Sequence, residues 1–344
     1  MRSTAVPSPP EVVLSVQNRT KVLARCVRVG SKTGLQSPVD EVFVKNAGRL
    51  SPLAPGLEWI VCIRIAADAV LAEPIELRCS SDQSLMKTHV VVIAEHGSKA
   101  TIFERCEGAL SSRACEVFVG VEAEIEYVSL LAPRPRLAGH SLGDGWRAAS
   151  GARCDFIQRS EVSEGGSIHW HNTTLGGSGD HHDLVSRLSG RNATSSVDWI
   201  FAVKNFDEQS VSVRNIFDAP DGSGEITLKG IAEDRGFATC DGMIEITEKG
   251  RDTNTYLTED VLMLDRTARV DAVPGLEIRT NDVKASHSAT VSRVTAEDLF
   301  YMQSRGIDEP AARAMFVEGF LSALTERITN PVIRQTVLTA LQSA

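Results

Sequence analysis

Two pairs of histidines in this sequence offer side chains that could bind a metal ion. His169 and His171 are separated by one residue in a run with strand character, so both imidazoles are expected on one face of the strand, where two metal ligands would lie. His181 and His182 follow a glycine-rich turn. No acid or thiol at ligand spacing completes a set around either pair, and the simpler interpretation is polar positions on a strand and in a loop.

A lone histidine near the C-terminal end, His287, lies between Ser286 and Ser288 in the segment ASHSAT, with Lys284 three residues earlier. This setting favours a hydrogen-bonded histidine at an interface, and a neutral imidazole is also a competent ligand for iron. From chemistry alone, His287 is therefore a candidate interface residue, together with Lys284 and Ser286, and the metal ligand is the alternative role for His287.

The cysteines indicate reduced thiols. The chain has 7 of them, scattered along its length and without a CxxC motif, which fits a cytoplasmic protein better than a disulfide framework. Cys240 lies in the alternating run FATCDGMIEI. A buried thiol that packs as a small apolar side chain is the usual outcome there, and a role as a cluster or sulfur ligand is the alternative.

Several classes of function are disfavoured by the composition and by missing motifs. The formal net charge of −9 and the lack of a dense basic stripe argue against a nucleic-acid partner. No apolar run approaches the roughly 18 residues of a membrane span, and the N-terminus lacks the apolar core of a secretory signal. There is no GxxxxGK[ST], GxSxG or HExxH motif, so we expect no nucleotide to be bound by this chain itself.

The elements that must position these residues are strands. From Lys87 onwards, strand-like runs recur at roughly even spacing and are separated by polar turns that contain glycine. No amphipathic helical period lies between them, which excludes a βαβ protein and leaves a sandwich, a barrel or a solenoid. A loose repeat of a turn followed by an alternating run favours the solenoid, an all-β core of stacked coils.

The C-terminal end changes to helical spacing. Thr295 and Asp298 form a capping box, Asp308 caps a second helix, and Pro331 opens a third. Their apolar stripes must pack on the β body or on another protein. The predicted organisation is a disordered N-terminus at 1–10, a small β-rich region at 11–84, a β-solenoid core at 85–294 and a helical region at 295–344.

The segment Leu276–Ile307, LEIRTNDVKASHSATVSRVTAEDLFYMQSRGI, resembles the C-terminal signature of the SufB/SufD family of iron–sulfur cluster assembly scaffolds. Upstream, TYLTEDVLMLDRTARVDAVPGLEI is similar to the family in the same order. The matching elements are Leu276–Ile278, Asp282–Lys284, Ser286–His287, Ala289–Thr290, Leu299–Tyr301, Ser304–Ile307 and Gly319–Phe320.

The resemblance implies a right-handed parallel β-helix that serves as a non-enzymatic scaffold in a SUF-type assembly complex. It would pair with a SufB-like subunit or with itself, hold a transient iron–sulfur cluster at that interface near His287, and pass clusters to apoproteins. Its helical tail would dock a SufC-type ABC ATPase, in which ATP hydrolysis would reside. The residues expected to dock this ATPase are Leu299, Phe300, Tyr301, Arg305, Gly306, Met315, Phe316 and Phe320.

Departures from the family pattern leave alternatives open. Ser288 and Ser292 replace frequent glycines, Ala285 replaces a frequent cysteine, and Ala268 stands where SufB carries its sulfur-accepting cysteine. The ligand region is therefore SufD-like, and the chain also resembles the compact SmsB-like homodimeric scaffolds. Outside this family, the alternatives are a cytoplasmic β-helix that binds or cleaves carbohydrate and a structural homodimer without cluster chemistry.

Overall fold

The strands in the described part of this protein form two sheets. The computed structural model describes residues 10–15, 17–28, 59–81, 87–108, 112–132 and 155–343. The segment at 1–10 that was predicted to be disordered lies outside the described residues except for Pro10. The first sheet, sheet A, contains in spatial order β1 (Glu11–Val13), β4 (Ile75–Ser81), β6 (Lys99–Gly108), β8 (Glu124–Ala132), β10 (Ser167–Leu175), β12 (Thr194–Val203), β14 (Ser223–Ala232), β16 (Thr253–Met263) and β19 (Val283–Arg293).

The second sheet, sheet B, faces the first and contains the intervening strands of the chain. In spatial order it consists of β2 (Val22–Arg28), β3 (Trp59–Ile65), β5 (Thr88–Ala94), β7 (Arg113–Val119), β9 (Asp155–Val162), β11 (Ser178–Leu188), β13 (Glu208–Phe217), β15 (Phe237–Ile246), and then β17 (Arg269–Ala272) and β18 (Gly275–Ile278), which both pair with β15.

From β3 to β17, successive strands alternate between the two sheets, so the chain winds as a parallel β-solenoid of about seven turns. From β3 and β4 onwards, each strand pairs in parallel with the strand one coil away, while β1 and β2 pair antiparallel with the first coil. The solenoid with a small helical C-terminal region is confirmed. Because β3 pairs with β5 and β4 pairs with β6, both sheets continue without interruption across residue 85.

The core lies between the sheets and follows the two-residue period of the strands. In β10 and β12, most inward positions are apolar, with Asn172, Thr174 and Ser195 as buried polar exceptions, and the outward positions are polar until the strand ends. The largest fully buried side chains include Tyr127, Phe156, Trp170, Trp199 and Phe201. This alternation is what the sequence pattern predicted, and it means that outward residues of neighbouring coils form rows on the outer face of sheet A.

One corner of the solenoid repeats in every coil. The residue at this corner has a positive φ, and its backbone N–H donates to a carbonyl of the next coil, for example Glu122 to Glu164 and Asn192 to Pro220. Glycine, asparagine and aspartate tolerate this left-handed conformation, which explains the polar, glycine-containing turns of the sequence. The corner residues are Asp68, Gly97, Glu122, Gly165, Asn192, Asp221 and Asp252.

Three helices follow the last strand: α1 (Ala296–Ser304), α2 (Glu309–Thr325) and α3 (Pro331–Ser343). The predicted capping box of Thr295 and Asp298 is confirmed at α1, and Asp308 accepts the Ala311 N–H at the start of α2. None of the helices in the described part of the chain has the length and apolar character that crossing a membrane requires.

The helices pack along the outer face of sheet A. Leu321 and Leu324 of α2 contact a cluster that includes Ile200, Ile231 and Leu262. In α3, Ile333 and Val337 pack with Phe103, Val128 and Leu130. The outward ends of the sheet A strands are therefore apolar because the helical tail covers them, and the tail extends back across the coils from β19 to β6.

Candidate functional site

His287 lies on β19, which is the edge of sheet A among the described residues. β19 pairs in parallel with β16 along its whole length, and His287 is opposite Leu257. Because side chains alternate along a strand, His287 shares a face with Val283 and Ala285, which pack on the core, whereas Lys284 and Ser286 lie on the other face. The structure thus places His287 at the open end of the solenoid interior, exposed to solvent.

The surface around His287 is also apolar. Val273 after β17, Ile278 at the end of β18 and Val291 of β19 are 59%, 40% and 47% exposed, respectively. We call this surface, formed by Val273, Ile278, Val291 and the free edge of β19, the open end. An exposed parallel edge next to apolar side chains is suited to pairing with another chain. His287 lies within this surface.

Cys240 is fully buried in the last complete coil and faces Glu259 across the interior, with its Sγ 4.0 Å from Glu259 Oε2. Burial, followed by the charge of Glu259, raises the pKa of the Cys240 thiol well above its usual value. Burial also raises the pKa of Glu259 to about 7, although the Gly242 N–H donates to its Oε1 at 2.7 Å. Cys240 therefore packs here as a protonated thiol. Sequence reasoning missed Glu259, whose inward position in an alternating strand was its only signal.

The residues predicted to dock an ATPase divide into two groups. Leu299, Phe316 and Phe320 pack against the cluster beneath α1 and α2, so they hold the tail on sheet A. Phe300 is 72% exposed, and Tyr301 and Met315 are also exposed. The second group, with the first turn after α1, is available for contact with another protein.

That turn is ordered by local contacts. The guanidinium of Arg305 lies 5.3 Å from the centre of the Tyr301 ring, and Gly306 has a φ of +84°, which suits glycine at the end of a helix. Arg305 and Gly306 thus shape the exposed surface beside Phe300 and Tyr301. The docking role of these residues stays a prediction.

Two acidic residues that are distant in the sequence complete the set of possible metal ligands around the histidines of β10. His169 Nε2 lies 2.8 Å from Asp198 Oδ2. His171 lies between the two acids, with its Nδ1 3.4 Å from Asp198 Oδ2 and its Nε2 3.5 Å from Glu126 Oε1. These acids come from β12 and β8, the strands on either side of β10. The cluster faces outward, beneath the connection between α2 and α3.

This cluster also holds the tail. Arg327 Nη1 donates to Asp198 Oδ1 at 2.7 Å, and the Thr329 N–H donates to Glu126 Oε1 at 2.8 Å. Burial alone would raise the pKa of Glu126, but the nearby His171 imidazole and the hydrogen bonds from Thr329 outweigh it and lower this pKa to about 2. Hydrogen bonds from the two histidines likewise lower the pKa of Asp198 despite its burial.

A group of thiols lies inside the first coils, far along the solenoid from Cys240. Cys79 and Cys106 are direct partners on β4 and β6, and Arg113 Nη1 donates to their sulfurs at 3.0 and 2.8 Å. The same guanidinium pairs with Glu104, which also accepts a hydrogen bond from Tyr127. Because a buried arginine already occupies the centre of this group, a metal cation would have to displace it.

The structure therefore places His287 at the open end and Cys240 one coil further inside. It separates Lys284 and Ser286 from His287 by strand face, and it separates all of them from the tail surface around Phe300. What the arrangement can do chemically is to present an imidazole on an exposed strand edge, while burial keeps the Cys240 thiol protonated one coil further inside.

Comparison with known proteins identifies the family of this chain. Residues 77–320 match the family model described as SUF system FeS cluster assembly, SufBD core domain. The iron-sulfur cluster assembly protein SufD of Escherichia coli is 32% identical over 180 residues, which cover 52% of this chain and 42% of that protein. An iron-sulfur cluster assembly SufBD family protein of Staphylococcus saprophyticus is 26% identical over 257 residues, covering 73% of this chain and 52% of that protein.

The chain thus spans about half the length of the curated relatives that it matches. The matched region begins in β4 and ends in α2, so it contains the solenoid from β4 onwards, the open end with His287, α1 and most of α2. The predicted family is confirmed, and the chain belongs to the SufBD core family of iron–sulfur cluster assembly proteins.

Proposed function

We propose that this chain is a cytoplasmic, non-enzymatic scaffold subunit of a SUF-type assembly complex, which pairs through its open end with a SufB-like subunit or with a second copy of itself. The observation that carries the proposal is the position of His287 within an exposed apolar edge at the end of the solenoid. A transient iron–sulfur cluster is the cargo assembled between the chains, and it passes from there to apoproteins. His287 is the residue of this chain that would contact it.

The second half of the proposal concerns the tail. Phe300, Tyr301 and Met315 form an exposed apolar surface on α1 and α2, which is suited to a SufC-type ABC ATPase. The helices are fixed to the solenoid by polar contacts as well as by packing: Lys229 Nζ donates to the Phe320 carbonyl at 2.8 Å, and Arg313 Nη1 donates to the Leu264 carbonyl at 2.9 Å. A movement of the ATPase would thus reach sheet A through α2.

Docking is tested by co-expression with a SufC-type ATPase and size-exclusion chromatography. We expect the wild-type chain to co-elute with the ATPase and Phe300→Asp to elute alone, because a carboxylate would have to be buried without a partner. Val332→Asp is the matched control, since Val332 is equally exposed at 72% but lies on α3, away from the proposed surface. Failure of the wild-type chain to co-elute would contradict this half of the proposal.

The role of His287 is tested with His287→Ala. We expect normal folding and ATPase docking but at least a tenfold lower cluster yield after anaerobic reconstitution of the complex, measured by visible absorption and iron and sulfide content. His96→Ala, an exposed histidine at the other end of the solenoid, should keep the wild-type yield. A full yield from His287→Ala would make this residue a packing residue only, and a wild-type complex that builds no cluster would favour the structural homodimer.

A further inference from the structure

We propose that His169, His171 and Asp198 on the outer face of sheet A form a binding site for a divalent transition-metal ion such as Zn²⁺ or Fe²⁺. This site lies beneath the α2–α3 connection, apart from the open end and from the exposed docking surface of α1. The inference goes beyond the proposed function and does not depend on it.

The three donor atoms lie close enough to share one ion. Asp198 Oδ2 is 2.8 Å from His169 Nε2 and 3.4 Å from His171 Nδ1, and all three donor atoms lie within 4.8 Å of one another. Metal–ligand bonds of 2.0–2.2 Å in a tetrahedral zinc site place neighbouring ligand atoms about 3.3 Å apart. The two distances therefore bracket the separation that a bound ion requires.

The second observation is a buried nitrogen without a partner. His171 is 4% exposed, and its Nε2 has no hydrogen-bond partner among the described residues. The nearest acceptor is Glu126 Oε1 at 3.5 Å. In metal sites, the ligating histidine donates its other N–H to a carboxylate, which fixes the tautomer. With Nδ1 on the ion, the Nε2–H of His171 would donate to Glu126.

Charge also favours a cation. The carboxylates of Glu126, Asp198 and Glu225 surround the site, and the guanidinium of Arg327 is the positive group that faces them. With neutral imidazoles, these groups carry a net charge of −2, which one divalent ion balances.

The position of each ligand suits an accessible site. His171 and Asp198 are buried and therefore held in place, while the His169 side chain is 32% exposed and leaves a path from solvent. Asp198 uses its other oxygen to accept from Arg327. Two histidines and one carboxylate with open coordination positions suit Zn²⁺ with bound water or non-haem Fe²⁺.

The test is metal binding by the full chain after chelator treatment. Co²⁺ is added and followed by visible absorption, Zn²⁺ is titrated by calorimetry and in competition with Co²⁺, and Fe²⁺ is measured by anaerobic equilibrium dialysis. We expect one equivalent to bind the wild-type chain. His169→Ala should weaken the affinity at least tenfold, and Glu126→Gln should weaken it about 10–100-fold through the orientation of His171.

His96→Ala is the matched control, because this exposed histidine lies outside the cluster and should leave the affinity unchanged. Asp198→Asn, which keeps an oxygen for Arg327, is a second variant, and circular dichroism without metal shows whether each variant is folded. Wild-type affinity in folded His169→Ala, the absence of stoichiometric binding to the wild-type chain, or a Co²⁺ spectrum with a thiolate charge-transfer band would each overturn the proposal.

Discussion

At the scale of single residues, Glu259 has an environment very different from that of a surface carboxylate. It is fully buried in the last complete coil, and desolvation is the main reason that its pKa rises from 4.5 to about 7. Between these two pH values, the unfolded chain loses this proton and the folded chain keeps it. The free energy of unfolding therefore falls as the pH rises through this window, by about 3 kcal/mol at most.

Glu259→Gln should remove this dependence, because the amide oxygen can still accept the Gly242 N–H and carries no charge. We compare the free energy of unfolding of the variant with that of the wild-type chain by urea unfolding at pH 5 and at pH 8. The difference in favour of the variant should be about 2 kcal/mol larger at pH 8 than at pH 5. Glu248→Gln, at an exposed turn, should change stability by less than about 0.5 kcal/mol at either pH. An equal effect of Glu259→Gln at pH 5 and pH 8 would contradict the raised pKa.

The histidine cluster shows where sequence reasoning stops at this scale. That His169 and His171 share a face followed from their spacing, and the structure agrees. Their acids, Glu126 and Asp198, are 43 and 27 residues away from His169 and His171, respectively. They become neighbours only through the register of β8, β10 and β12, in which His169 is opposite Glu126 and His171 is opposite Asp198. A sequence without the coil register cannot supply this pairing.

At the scale of elements, the repeated corner relates residue type to stability. Glu122 holds a φ of +56° at this corner, where neighbouring coils use glycine or asparagine. Glu122→Gly should raise the free energy of unfolding by about 0.5–1 kcal/mol, since the strain of a left-handed residue, about 1–2 kcal/mol, exceeds the entropy that glycine adds to the unfolded chain.

Asn192→Gly is the comparison for this corner, because Asn192 has the same φ of +56° and asparagine tolerates it better. Urea unfolding should show a smaller increase, or a small decrease, in the free energy of unfolding for Asn192→Gly. If both variants gain the same stability, or if Glu122→Gly is less stable than the wild-type chain, the strain of the left-handed backbone conformation is not what distinguishes these corners.

The last helix offers a test of how the tail is held. Ile333 is 2% exposed beneath α3, whereas its neighbour Val332 is exposed. Ile333→Ala should cost about 2–5 kcal/mol locally, because it removes packing against Phe103, Val128 and Leu130. Hydrogen exchange should show lost protection in α3 while the amides of sheets A and B keep theirs.

Val332→Ala serves as the control and should leave the exchange of α3 within error of the wild-type chain. Unchanged protection in Ile333→Ala would mean that polar contacts such as Arg334 with the Ile328 carbonyl hold the helix without this packing. Loss of protection throughout the sheets would instead mean that the tail and the solenoid unfold together.

The elements themselves were largely predictable. Alternation in the strands, polar corners and the caps at Thr295 and Asp308 are local signals, and each corresponds to an element of the structure. The path of the helical tail could not be predicted, because its apolar stripes fit equally well on the β body or on another protein. The outward apolar positions Val128, Leu130 and Ile200 were the missing signal: in an exposed sheet face they would have been polar.

At the scale of the whole molecule, the two ends of the solenoid differ. The first coil is flanked by β1 and β2, which pair antiparallel with β4 and β3. The last coil ends in β19, and the described residues include no strand on its other side. Long exposed strand edges are normally blocked by charge, proline or a covering segment. Here β19 places Ala289 and Val291 on the face that continues the core, which leaves the open end suited to a partner.

Val291→Arg tests this view of the molecule. A charged side chain on the core-facing side of β19 would have to be buried in a paired assembly, so we expect the association constant with a second copy or a SufB-like subunit to fall at least tenfold. Sedimentation velocity over a range of concentrations, with the chain alone and with a SufB-like subunit, measures it. Val332→Arg, on the exposed side of α3, should associate like the wild-type chain. A wild-type chain that stays monomeric in both mixtures, or a Val291→Arg variant that associates normally, would remove the open end as the interface and leave His287 without a partner chain to share a cluster.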